Sequence, residues 1–204
     1  MVVILDYGIG NVYSIYNMLK KIGVEAEVSS DAGKVKRAAK IILPGVGHFS
    51  YCMQQLKKAS FFYELEEKIL GNKTPVLGVC VGCQMLMERS EEGNEKGLGW
   101  IKGEVIRFKE NELVPGQKIP HMGWSDVQPA TGCNLYRDIE NPRFYFVHSY
   151  HLSCTDASEV TATCLYGYPF PASVATDNIM GVQFHPEKSH RFGMKLYENF
   201  ARLY

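Results

Sequence analysis

The sequence has no excess of either charge sign: 22 Lys and Arg offset 22 Asp and Glu, for a formal net charge of zero. That balance removes the electrostatic footprint expected of a nucleic-acid binder or of a protein held on an anionic membrane. It suits a protein that works against a partner. Long apolar runs are missing too. The longest, Pro75 to Met87, is too short to cross a bilayer and carries Gln84. The opening "MVVILDYGIG" lacks a basic leader and is interrupted by Asp6, so neither a signal peptide nor an anchor is expected. Six cysteines (Cys52, Cys80, Cys83, Cys133, Cys154, Cys164) show no framework spacing, which points to reduced thiols in a cytoplasmic protein. With no repeat, low-complexity tract or linker in 204 residues, a single domain over 1–204 is expected.

The first half of the chain alternates strand-like and helix-like segments. "VVILDY" fits a buried parallel strand, and Asn11 can then cap a helix with Val12, Ile15, Tyr16, Leu19 and Ile22 on its apolar face and Gly23 as its stop. "VEAEV" alternates as an edge strand would. "KIILPGVG" reads as a central strand ending in a glycine-rich turn, helical pieces run on to Leu70, and "TPVLGVC" is the next buried strand. This rhythm predicts an α/β fold with a doubly wound, largely parallel sheet and helices on both faces. Such sheets carry their sites at the carboxyl ends of strands, where Pro44–Gly47 and Cys80 fall. The second half supplies "EVIRF", "MGWSDVQ", "RFYFVHSY", "EVTATCLY", "FPASVAT" and "IMGVQFH", read as an antiparallel or mixed extension of that sheet. A helix opened by Ser189 follows, with Phe192, Leu196, Phe200 and Leu203 on one face.

"GVCVGCQ" sets the chemical question, because Cys80 and Cys83 form a CxxC pair. No second CxxC or paired histidine follows at zinc-finger spacing, so no metal site is expected. A redox pair explains neither flanking glycine. Gly78-x-Cys80-x-Gly82 is instead the thiol form of a nucleophile elbow, where a strand turns abruptly into a helix and backbone must approach closely on both sides. The helix N-terminus would then favour the thiolate, and the Val81 amide would face a developing oxyanion.

A thiol nucleophile needs a base. Of six histidines, His48 follows a glycine-rich loop, His121 sits in "IPHMGW", His148 and His151 flank "SYH", and His190 opens the last helix. His185 ends an apolar strand in "GVQFHPEKS", and Glu187 follows two residues on, able to fold back and hold the imidazole tautomer. Gly8-Ile9-Gly10 resembles the start of a dinucleotide fingerprint, but Tyr13 stands where the third glycine belongs, so no nucleotide cofactor is expected.

An elbow followed near the C-terminus by His-Pro-Glu resembles the triad (class I) glutamine amidotransferases. Within them the chain is similar to the glutaminase subunits of imidazole glycerol phosphate synthases. The likeness runs end to end through "DYGIGN", "LPGVGHF", "GVCVGCQML", "RSEEG", "GLGW", "PHMGW", "YFVHSY" and "GVQFHPEKS". It implies hydrolysis of glutamine, with ammonia passed to a separate (β/α)8-barrel synthase of histidine biosynthesis. An alternative acceptor is a sugar-modifying enzyme of surface-polysaccharide synthesis, and a free-standing cysteine peptidase is a further class. On this resemblance Cys80 attacks the carboxamide, His185 moves the proton, and Glu187 orients His185. An amide in Gly45, Val46 or Gly47 joins that of Val81 as oxyanion donor. Gln84, Glu92 and the backbone of Ser149 and Tyr150 hold the amino-acid end of glutamine, while Asn11, Trp124 and Lys188 lie toward the partner. The family usually carries Met or a small apolar residue at Cys83, which here leaves that thiol open to oxidation with Cys80. The β-branched Val46 resists positive φ, so the oxyanion donor is expected not to be aimed in the free subunit.

Overall fold

Short runs rich in Val, Ile and Leu, each too short for a helix, recur three times in the first half: Val2–Leu5, Ile41–Leu43 and Val76–Val79. In a computed structural model covering Met1 to Tyr204, they become buried strands. The order there is β1 (Val2–Leu5), α1 (Val12–Lys21), β2 (Ala26–Ser29), α2 (Ala32–Arg37), β3 (Lys40–Leu43), α3 (Phe49–Lys58) and α4 (Phe62–Glu66). A π-helical turn over Glu67–Gly71 leads into β4 (Val76–Val79) and α5 (Val81–Gln84). Next come β5 (Arg89–Ser90), β6 (Glu95–Lys96), β7 (Gly103–Arg107), β8 (His121–Pro129) and β9 (Arg143–His148). The chain continues through β10 (Tyr150–Cys154), β11 (Val160–Tyr166), β12 (Tyr168–Thr176) and β13 (Ile179–Val182) to α6 (His190–Leu203). No helix is long and apolar enough to cross a membrane.

Nine strands form one sheet in the order β2-β1-β3-β4-β13-β12-β11-β8-β9. From β2 to β13 every pairing is parallel, and from β13 to β9 every pairing is antiparallel. The parallel half, β2 at its edge and the antiparallel extension all follow the sequence pattern. "EVIRF" does not. It forms β7 in a separate four-stranded sheet of order β10-β7-β5-β6, because the chain corners at Ser149 and sends β10 away from β9 to pair with β7. Strands β5, β6 and β10 were not read from the sequence; two of them are only two residues long and carry no period.

One local expectation needs correction and another is met. Asn11 stands at the cap position of α1, but with ψ at 59° its side chain makes no capping bond. Ser189 opens α6, yet its hydroxyl donates to the His185 carbonyl at 2.6 Å and accepts the Tyr145 amide at 3.0 Å. That serine therefore ties the turn after β13 to β9.

The last strand returns to the middle of the sheet. β13 lies between β4 and β12, in register Val182 opposite Val79. Its Gly181 lies against Cys83, where an added Cβ would sit 2.4 Å from the sulfur. Cys83 is fully buried there, so its expected exposure to oxidation with Cys80 is not met. All six cysteines are free. Gly181→Ala should destabilise the protein by about 1–3 kcal/mol through overpacking. Adding Cys83→Ala should restore most of that loss in denaturant unfolding, whereas simple additivity of the two changes would show that the contact is not the cause.

Candidate active site

The backbone of Cys80 has φ 53° and ψ −113°, a region that non-glycine residues rarely occupy. Such a residue costs on the order of 1–3 kcal/mol and persists only where its surroundings fix it. Here they do so on both sides. The Cys80 amide donates to the Val182 carbonyl at 2.9 Å, and its own carbonyl accepts the amides of Cys83 at 3.0 Å and Gln84 at 3.1 Å. The flanking glycines allow the bend: a Cβ on Gly78 would meet the Gly82 carbonyl at 2.7 Å, and one on Gly82 would meet the Leu43 carbonyl at 2.0 Å. The helix that follows is a single turn, Val81–Gln84, too short for the macrodipole expected to support a thiolate. Support comes from a side chain instead.

That side chain is His185, three residues past β13. Register with β4 brings β13 to the carboxyl end where Cys80 sits, and His185 reaches the same cleft. Its Nδ1 lies 2.7 Å from Glu187 Oε1, with both side chains only 2% exposed. Glu187 thus claims Nδ1 and leaves Nε2 as the ring nitrogen available to Cys80, which lines the same cleft. Burial acts to lower the imidazole pKa. The Cys80 charge and hydrogen bond, followed by those of Glu187, outweigh it and push His185 up to about 10.

A cleft of about 350 Å³ opens beside this group, lined among others by Val46, Gly47, Cys80, Val81, Gln84, Glu92, Ser149, Tyr150, His185 and Lys188. Gly45 lies behind it, packed on Gly82. Gln84 Nε2 donates to the Tyr150 carbonyl at 3.0 Å and to Gln183 Oε1 at 3.1 Å. Both amide protons are then used, and Oε1 is the group left for a ligand. Glu92 is half-buried rather than a solvated charge, and its Oε2 accepts the Phe49 amide at the start of α3 at 2.7 Å. No group of three or more His, Cys, Asp or Glu is arranged to hold a metal ion.

The two expected oxyanion donors are not presented together. The Val81 amide donates to the Gly45 carbonyl at 3.3 Å. In a trans peptide the C=O and N–H point in opposite directions, so the Val46 N–H points away from Val81. Val46 is absent from the residues with positive φ, whereas Gly47 has φ 92°.

Trp124 and Lys188 meet through Tyr145: the Trp124 ring centroid is 6.3 Å from that of Tyr145, and Lys188 Nζ is 5.7 Å above the Tyr145 ring. Asn11 is exposed and joins them only through the packing of α1 on the turn at Pro186–Lys188. Exposed Met122, 62% accessible, continues this patch along β8. Sequence reasoning missed Tyr145, Gln183 and the site role of His148. The signal for His148 was available, since alternation along "RFYFVH" puts it on the inward face with Phe144 and Phe146.

A family model described as "Glutamine amidotransferase class-I" matches residues 3–203. The chain belongs to that family. This amidotransferase is 47% identical over its full length to the imidazole glycerol phosphate synthase subunit HisH 2 of Pseudomonas aeruginosa, also matched over its full length. It is 48% identical to HisH 2 of Methanococcus maripaludis, with 99% of each chain covered, and 43% identical to HisH of Bdellovibrio bacteriovorus, with both covered in full. Among solved structures, one titled "Crystal structure of glutamine amidotransferase" superposes with a TM-score of 0.76 at 18% identity, covering 100% of this chain and 98% of that one. At that identity the likeness speaks for the fold alone.

Cys80→Ala should abolish turnover, while Cys83→Ala should keep at least about half of it, since only Cys80 faces the cleft; the reverse result would restore the redox-pair reading. Glu187→Gln should lower kcat by about 10²–10⁴. Removing that charge takes away part of what raises His185, so the alkaline limb of the kcat profile should move to lower pH. A limb that stayed in place would show that Glu187 does not hold the imidazolium.

Proposed function

We propose that this chain is the glutaminase subunit of an imidazole glycerol phosphate synthase, releasing ammonia from glutamine for a (β/α)8-barrel partner in histidine biosynthesis. The observation that carries this reading is a strained, cleft-facing Cys80 against a buried His185–Glu187 pair. The full-length HisH relatives supply the acceptor. They do not favour the surface-sugar alternative. One amidotransferase domain over 1–204 accounts for the whole activity, and six free cysteines suit the cytoplasm.

Cys80 Sγ, as thiolate, attacks the side-chain carbonyl carbon of glutamine. His185 Nε2 gives its proton to the departing nitrogen, which leaves as ammonia and a thioester remains. The imidazole, now neutral, takes a proton from water, and the hydroxide attacks the thioester. Glutamate leaves and the thiolate–imidazolium pair is restored. Glu187 holds the ring through both halves. Gln84 Oε1 and Glu92 offer acceptors to the α-ammonium of glutamine, beside the backbone of Ser149 and Tyr150.

The tetrahedral oxyanion needs donors, and removing one such donor typically costs about 10²–10³ in turnover. Turning the Gly45–Val46 peptide over would free the Val81 amide and bring the Val46 N–H to the site. It would also drive Val46 to positive φ, which costs an L-residue about 1–2 kcal/mol. The free subunit is therefore held back, and partner and acceptor shift the population toward the competent arrangement. Asn11, Trp124 and Lys188, with Tyr145 between the last two and Met122 beside Trp124 on β8, form the docking face through which the partner does so.

Glutamine hydrolysis measured with and without the barrel subunit and its ligand tests this. The rate should rise strongly in the complex, and equal rates would refute gating. Val46→Gly should raise the partner-free rate about tenfold by removing the φ penalty. An unchanged rate in that variant would place the restraint elsewhere.

A further inference from the structure

Three buried histidines lie beside the site without entering the chemistry above: His121, His148 and His151. Two of them form a chain whose proton positions follow from their partners. His148 Nδ1 faces the Tyr150 carbonyl at 2.8 Å, and a carbonyl only accepts, so Nδ1 carries the proton. His148 Nε2 is then a lone pair in a neutral ring. It lies 3.1 Å from His121 Nδ1, which must donate to it. His121 Nε2 in turn accepts from the Ser125 hydroxyl at 2.8 Å. Every bond points one way, from Ser125 to the Tyr150 carbonyl. Burial lowers the pKa of both rings, His121 to about 4, so the chain is neutral across the physiological range.

The end of this chain is a carbonyl that the ladder leaves free. Tyr150 stands opposite Arg107 as a non-hydrogen-bonded pair of β10 and β7, beside the bonded pair in which the Phe108 amide donates to the Ser149 carbonyl at 3.1 Å, and the Arg107 amide faces the other way, to Glu91 Oε2 at 2.7 Å. The Tyr150 carbonyl takes two side-chain donors instead, His148 Nδ1 and Gln84 Nε2. The ladder therefore does not fix this carbonyl, although it sets which end of Gln84 faces the cleft. His151 is different in kind. Its Nδ1 donates to the Leu152 carbonyl at 2.9 Å and its Nε2 accepts from the Tyr168 hydroxyl at 2.9 Å, away from the cleft.

We infer that His121 and His148 are positioning residues for glutamine: their one-way hydrogen-bond chain clamps the Tyr150 carbonyl, which in turn orients Gln84 with its Oε1 toward the substrate's amino-acid end. The inference rests on the glutaminase reading. Packing alone does not require it, since His121 is stacked on Phe146 and Tyr166 at centroid distances of 4.8 and 4.0 Å, contacts that a phenylalanine would preserve.

The test uses that substitution. His121→Phe keeps the stacked ring and removes the donor to His148. In the complex with the synthase subunit it should raise the KM for glutamine about tenfold while kcat stays within about twofold. Calorimetry of glutamine binding to the Cys80→Ala complex should show the same weakening when His121→Phe is added. His121→Asn returns an N–H donor near the Nδ1 position and should recover affinity to within about threefold. A merely structural role would lower the melting temperature and kcat together, and the Asn variant would not rescue it. If His121→Phe does not fold, Ser125→Ala, which frees the His121 tautomer, should still weaken binding about two- to threefold. Unchanged affinity in the folded variants overturns this inference while leaving the glutaminase reading intact. A wild-type complex that released no ammonia from glutamine would overturn both.

Discussion

A cysteine in the left-handed half of backbone space has to be held there from outside. At Cys80 one of the hydrogen bonds that do so, from its amide to the Val182 carbonyl, crosses between strands a hundred residues apart in the chain. The strand that accepts this bond also delivers His185. Cys80 and His185 are therefore not two features placed near each other by separate parts of the fold. β13 inserts between β4 and β12, and that single insertion holds the strained bend, buries Cys83 under it and sets the imidazole at the same sheet edge. Anything that loosened the β4–β13 pairing would relax the bend and withdraw the base together.

Electrostatics then separates one histidine from its neighbours. Four buried histidines lie in this region, and for each the first effect of burial is to disfavour the charged ring. His121, His148 and His151 meet carbonyls, hydroxyls or each other, so burial prevails and their pKa values fall. His185 meets a thiol that can ionise and a carboxylate, and its pKa rises. Burial alone does not make a catalytic imidazole; the partners choose it. The same burial that makes three rings neutral also makes them dependable as one-way hydrogen-bond carriers, because a neutral imidazole has one donor and one acceptor.

Much of this was legible in the chain because it is local. Gly78-x-Cys80-x-Gly82 marks a bend within five residues, and His185 and Glu187 are two positions apart, so their pairing needs no knowledge of the fold. The parallel half of the sheet was legible for the same reason, each strand being a contiguous buried run. What was not legible depends on residues far apart. The destination of the Val81 amide is decided by Gly45 on another loop, and the pairing of His121 with His148 by the β8–β9 register. The separate small sheet depends on a corner at Ser149 that leaves no mark of period, and the burial of Cys83 on a glycine nearly a hundred residues later.

The loop before α3 bears on the proposed gating through the few contacts that hold its present arrangement. Three successive carbonyls there each hold a donor: Pro44 the Tyr7 hydroxyl, Gly45 the Val81 amide and Val46 the Cys52 thiol. Turning the Gly45–Val46 peptide breaks only the middle bond, because the Pro44 and Val46 carbonyls belong to neighbouring peptides that can stay anchored. The motion is a crankshaft between fixed ends, not a loop opening. Its cost is one hydrogen bond, about 1 kcal/mol net, plus about 1–2 kcal/mol for positive φ at Val46. A gap of that size leaves the competent arrangement at about a few per cent or less of the free subunit. A docking face that favoured the turned peptide by twice that gap, roughly 4–6 kcal/mol, would make it dominant, whereas merely matching the gap would bring the two arrangements to equal population. On the proposed gating, the restraint is the backbone geometry of one valine, and none of Cys80, His185 and Glu187 has to move to relieve it.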